Sequence, residues 1–173
     1  MPKARVAITG IGVVSPAALG AEDFWDAIAT GKKCVRRITL FDACNFPSRI
    51  AGELPDFSAR QFVPKTYRKS VKVMARDIEI AAAAAELGVR DAGLLTRSSQ
   101  GETTTYDPKR LGCNIGAGLI STDLDELGSA VNTAVTDGKF DFKLWGESGM
   151  NNLTPLWLLK YLPNMLACHI TII

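Results

Sequence analysis

Four cysteines and one histidine are the side chains of this 173-residue chain best suited to thiolate nucleophiles or a zinc site. Cys34, Cys44, Cys113 and Cys168 are widely spaced and form no C-x-x-C pair. With only His169 beside them, no metal site is expected. Reduced thiols of a cytoplasmic protein are the better reading. Cys168 and His169 are adjacent, which imitates a nucleophile with its base. However, His169-Ile170-Thr171-Ile172-Ile173 is rich in β-branched residues and reads as a strand. Neighbours on a strand point to opposite faces, so the pair is not read as a dyad.

A second chemistry-bearing pattern is Gly10-x-Gly12, after the apolar run Arg5 to Thr9. In a dinucleotide fingerprint the third glycine would fall at Ser15, with a helix opening there. Pro16 follows instead, and no acidic residue ends a second strand. The preferred reading is structural: these glycines permit a tight turn and close backbone packing. No cofactor is expected.

The third pattern is electrostatic. Arg60, Lys65, Arg68, Lys69, Lys72 and Arg76 lie between Phe57 and Arg76 with no Asp or Glu among them. Read as helix, Arg68, Lys72 and Arg76 repel at spacings of four. A solvated face is the plain account; a docking patch for an acidic partner is the functional one. The net charge of +2 gives no reason to expect nucleic acid. No apolar run is long enough to span a bilayer, so no membrane partner is expected. Lys3 and Arg5 before an apolar run ending in small residues imitate a signal peptide. Gly10 and Gly12 interrupt that run, which makes the signal reading the weaker one.

Hydrophobic content of 47% and charged content of 22% are those of a globular domain. Arg5 to Val14 and Arg110 to Gly118 read as buried strands ending in glycines. Glu22 to Thr30 reads as a short helix with Phe24, Trp25 and Ile28 inward, stopped by Gly31. Arg49 to Glu53 is the best extended piece of a loop-rich region. A long helix is expected from Pro64 or Thr66, with Val71, Ala75, Ile78, Ala82, Ala85, Val89 and Ala92 on one face and Gly93 as its cap. Ser98 to Pro108 is a polar connection, and Thr122 is expected to cap the next helix with Asp125 three residues on. Thr154 and Pro155 are expected to open a short helix that Pro163-Asn164 disturbs.

Several blocks then line up. Arg5-Val6-Ala7-Ile8-Thr9-Gly10-Ile11-Gly12-Val13-Val14-Ser15-Pro16, followed by Phe24 to Ile28, resembles the opening of the elongating β-ketoacyl-ACP synthases. Asp91-Ala92-Gly93-Leu94, Gly116-Ala117-Gly118-Leu119 and Pro163-Asn164-Met165-Leu166-Ala167-Cys168-His169-Ile170-Thr171-Ile172 are similar to the same family. The resemblance runs from residue 5 to 173 and is weaker over 95–110 and 137–150. It implies an α/β, thiolase-like fold, here the N-terminal half with a mixed sheet between helices. Residues 1–173 would form one truncated, incomplete domain.

What the resemblance implies about function is condensation of acyl and malonyl groups on acyl carrier protein, in fatty-acid or polyketide synthesis. The family's nucleophilic cysteine and both its histidines are expected beyond Ile173, so the chain alone should be inactive. A non-catalytic chain-length-factor-like partner of an active synthase is the alternative. Leu119 matches a position lining the acyl pocket. Lys65, Arg68 and Lys69 match a cluster that docks the acidic carrier protein. Trp157, Tyr161, Asn164 and Met165 fall in a segment near the dimer axis and pocket. A homodimer, or pairing with a missing C-terminal half, is expected, with the terminal strand as a sticky edge.

Overall fold

The computed structural model describes residues 5–99 and 103–173. Lys3 and Gln100 to Glu102 lie outside the described residues. In chain order the regular elements are α1 (Ala21–Ala29), β1 (Val35–Arg37), β2 (Ile50–Gly52), α2 (Arg76–Asp91), α3 (Leu124–Thr133), β3 (Val135–Thr136), β4 (Lys139–Phe140), α4 (Phe142–Glu147), α5 (Trp157–Tyr161) and α6 (Met165–Ile172). Short 3-10 turns join them.

Helix α2 is the spine. Its alanine-rich sequence favours helix and leaves short side chains on every face. Ile78, Ala82 and Ala83 are buried, and α6 packs along it. The core gathers Ala59, Val63, Val71, Met74, Ala75, Ile78, Ile120 and Leu166. Gly93 takes the left-handed conformation (φ 65°) just past the last turn, with Leu94 N–H donating to Val89 O at 3.1 Å. The glycine cap expected there is present.

Across another face of α2 runs the N-terminal segment, which forms no strand. Val6 is 94% exposed and Ile8 86% exposed. The expected buried strand from Arg5 to Val14 is therefore replaced by a segment held through its backbone. A Cβ on Gly12 would stand 1.9 Å from Ala84 O and 2.4 Å from Gly88 N. A Cβ on Gly10 would stand 2.3 Å from Gly88 O. Asp91 locks the crossing by accepting from Ile11 N–H at 2.8 Å. Close packing, preferred over the nucleotide reading, accounts for both glycines.

The mixed sheet expected between helices does not form among the described residues. In its place are two separate antiparallel pairs, β1–β2 and β3–β4. The extended piece expected at Arg49 to Glu53 is β2. Its Glu53 carboxylate accepts from the Thr39 and Leu40 N–H groups at 2.9 and 3.0 Å, which lowers its pKa. Arg110 to Gly118 forms no strand either: a 3-10 turn, Pro108–Arg110, leads into irregular chain that enters the core at Ile120. Among the described residues neither apolar run joins a sheet, Val14 forming only an isolated bridge to Leu19, and periodicity alone could not reveal that.

Other expectations shift for local reasons. Helix α1 is present, but Trp25 and Ile28 are 68% and 55% exposed and Ala27 is its buried residue. Asp123, rather than Thr122, caps α3 by accepting from Asp125 and Glu126 N–H. Helix α5 begins after Leu156 in a left-handed conformation (φ 65°), two residues later than a Thr154 cap would place it. Most consequential, His169 to Ile173 is not a strand. Met165–Ile172 is helical, with Cys168 N–H donating to Asn164 O at 3.0 Å. Burial of Leu166 and His169 beside α2 overrides the β preference of the isoleucines. The sticky strand edge expected at the terminus is therefore absent.

The glycine crossing gives a stability test. Gly12→Ala is expected to lower the unfolding free energy by about 3 kcal/mol, since the new methyl meets backbone that cannot yield. Gly88→Ala, whose Cβ would meet Gly12 N at 3.2 Å, gains helix propensity and should cost far less. Urea midpoints compare the two. Equal effects would contradict the packing.

Candidate functional site

The basic stretch is not one α-helix. Two 3-10 turns, Lys65–Tyr67 and Ser70–Val73, precede α2, and Met74 and Ala75 between them and the helix are extended. The expected start at Pro64 or Thr66 is displaced because Met74 and Ala75 enter the core with extended backbone. Arg76 opens α2 and is tied back by donating to Phe57 O at 2.7 Å, with its guanidinium over the Phe57 ring.

In a 3-10 turn, residues three apart eclipse one another. Val71 and Met74 therefore point into the core together. Lys65 and Arg68, then Lys69 and Lys72, are exposed. The repulsion at spacings of four expected for Arg68, Lys72 and Arg76 does not apply, since these residues do not share a helix. None of Lys65, Arg68, Lys69 and Lys72 is ion-paired with a carboxylate among the described residues.

Tyr67 lies on the inner side of the same turn. Its hydroxyl is 2.8 Å from His169 Nδ1 on α6, and the rings meet edge to face. His169 is only 4% exposed, and its Nε2 has no hydrogen-bond partner. Burial pulls the imidazole pKa below 6.5. Burial likewise raises Tyr67, against an opposing hydrogen bond with Ser70. Cys168 turns elsewhere, its Sγ 3.7 Å from Asn164 Nδ2. The pair is thus no dyad, although it lies on a helix and not on the strand first expected.

The remaining expected site residues fall close by. Helix α5 packs on the Ser70–Val73 turn and against α6. The Trp157 and Tyr161 rings meet tilted with centroids 5.1 Å apart, and Tyr161 and Met165 pack against the core. Tyr161 donates to Glu126 Oε2 at 2.8 Å and accepts from Asp123 N–H at 3.2 Å. Lys160 donates to Glu126 Oε1. Burial pulls Lys160 down, but that carboxylate bond reverses the shift and its pKa is raised. Asn164 is exposed beside Cys168. Leu119 stands apart, 91% exposed next to the buried Ile120. Tyr67, Glu126 and Lys160 were not foreseen; only the three-residue spacing around Tyr67 could have signalled one of them.

A cavity of about 570 Å³ lies between α2, the N-terminal segment, the 111–115 stretch and the end of α6. Its walls are mainly aliphatic, with Thr9, Glu86 and Asn114 among the polar groups. No helix of the described residues is long and apolar enough to cross a membrane. Among those residues, no cluster of three or more His, Cys, Asp or Glu could hold a metal.

Comparison with known proteins matches residues 3–173 to the family model of the β-ketoacyl synthase N-terminal domain. A putative polyketide β-ketoacyl synthase 1 of Streptomyces halstedii is 40% identical over 119 residues, covering 68% of this chain and 26% of the relative. A 3-oxoacyl-[acyl-carrier-protein] synthase 2 of Vibrio harveyi is 30% identical over 172 residues, covering 99% of this chain and 36% of the relative. The chain thus spans about a quarter to a third of the curated relatives' length. A solved β-ketoacyl synthase from Burkholderia phymatum superposes with a TM-score of 0.64 at 25% identity, over 95% of this chain and 35% of that one. The α/β, thiolase-like class expected from the sequence is the class of that structure.

The buried imidazole sets a pH dependence. Its folded pKa lies below the unfolded value, so its contribution to stability is complete above about 6.5. That contribution is lost as pH falls from there through the lowered value. Unfolding curves between pH 8 and 5 should show this loss, and His169→Gln should flatten it. An identical pH slope in the variant would contradict the assignment.

Proposed function

The chain belongs to the β-ketoacyl synthase family, as its N-terminal domain, and on that premise we propose that it serves carbon–carbon bond formation on acyl carrier protein. In this reading it supplies a docking surface and part of an acyl-pocket wall, not the reactive groups. The observation that carries it is the basic turn: Lys65, Arg68 and Lys69 stand together and exposed, with no carboxylate between Phe57 and Arg76 to neutralise them. Such a surface suits an acidic carrier protein. Cys168 and His169 point to different partners, which supports the reading that this chain performs no condensation by itself.

Leu119, almost fully exposed, is assigned to a pocket wall that a further surface completes. Trp157, Tyr161, Asn164 and Met165 are assigned to the same pocket and dimer region. Val6, Ile8 and Phe142 are also largely exposed, and apolar surface of this kind favours burial against a second copy or a C-terminal half. Four free thiols suit a cytoplasmic setting.

The test uses the purified 173-residue chain and apo acyl carrier protein. Binding should weaken as salt rises and fall about tenfold in the Lys65→Glu/Arg68→Glu double variant. When acyl- and malonyl-loaded holo carrier protein are supplied in a separate assay, no condensation product should form. Binding indifferent to both charge reversal and salt would remove the docking reading, and measurable condensation would remove the division of labour.

A further inference from the structure

Among the described residues the basic turn has one side-chain hydrogen bond to the rest of the molecule, and its charges do not make it. Between Pro64 and Val73 the backbone is held by 3-10 hydrogen bonds of its own, such as Tyr67 N–H to Pro64 O at 2.9 Å. These fix the local curl but not its orientation on the domain. Val71 and Met74 anchor the C-terminal side of the stretch in the core, and Val63 anchors the side before it. Lys65, Arg68 and Lys69 sit between those anchors, where the remaining inward groups are Tyr67 and Ser70. Tyr67 bridges 102 residues of sequence to reach His169 Nδ1 at 2.8 Å.

We propose that the Tyr67–His169 hydrogen bond is a strut that orients Lys65, Arg68 and Lys69 for docking, making Tyr67 and His169 positioning residues of that surface. The proposal rests on the docking reading above and adds to it a cause for the turn's orientation. Hydroxyl and imidazole are matched: with the tyrosine donating, Nδ1 accepts and the proton sits on Nε2. His169 is held in place by α6, which packs on the spine helix, so the strut joins the surface to the most deeply packed part of the fold. A preorganised turn presents its three cations without ordering them at the moment of encounter, which raises affinity without adding a contact.

Apo acyl carrier protein is again the probe, titrated against the full chain and its variants. Tyr67→Phe keeps the ring and all cations and removes only the hydroxyl. It should weaken binding about fivefold while leaving the salt dependence unchanged. His169→Leu should match it, and His169→Gln, which keeps a hydrogen-bonding side chain, should recover most of the affinity. Amide exchange at residues 65–69 should quicken in the first two variants and return in the third. Wild-type affinity in Tyr67→Phe, with the Lys65→Glu/Arg68→Glu variant still impaired, would overturn the strut and spare the docking surface. Insensitivity to the charge reversal itself would overturn both.

Discussion

Helix α2 accepts backbone at contact distance on one side and a second helix on another. Only a surface of glycine and alanine can do both. Ala84 and Gly88 leave room for Gly10 and Gly12, while Ile78 and Ala82 supply apolar contact in the core. A larger residue at the crossing would hold the N-terminal segment off the helix, and the Ile11 hydrogen bond to Asp91 would go with it. The remaining elements take their places from this spine. Helix α6 lies along it, α5 packs on α6, and the basic turn leads directly into it.

The geometry of that turn converts a plain charge run into an oriented surface. As one α-helix the same residues would crowd their charges on a single face at spacings of three and four. As two 3-10 turns they put Val71 and Met74 under the domain and leave the cations outside. Desolvation near this face falls on Tyr67 and on His169, which is bonded to Tyr67 at Nδ1 and unpartnered at Nε2, while the lysines stay exposed. The neighbouring link among Lys160, Glu126 and Tyr161 fastens α5 to the start of α3, so the face is braced from two directions.

The sequence made the family, the spine helix, its glycine cap and the packing role of Gly10 and Gly12 legible, because each is a local pattern with a local cause. The extended piece at β2 formed as expected, while three other expected strands did not, for two physical reasons. A β-branched run such as His169 to Ile173 expresses a preference worth a fraction of what burial against a neighbouring helix supplies, and Leu166 and His169 are buried there. Arg5 to Val14 and Arg110 to Gly118 carry strand-like composition but join no sheet among the described residues. At the candidate site the cations could be named from their spacing, but the Tyr67–His169 contact spans 102 residues and leaves no trace in any local window.

The claim on which the account rests is that α2 is the last element to open. Native-state amide exchange measures this directly, residue by residue. The account predicts that amides of α2 from Ile80 to Gly88 exchange only through global unfolding, more slowly than those of α3 or α4. Exchange in α2 as fast as in those helices, with protection concentrated elsewhere, would contradict it.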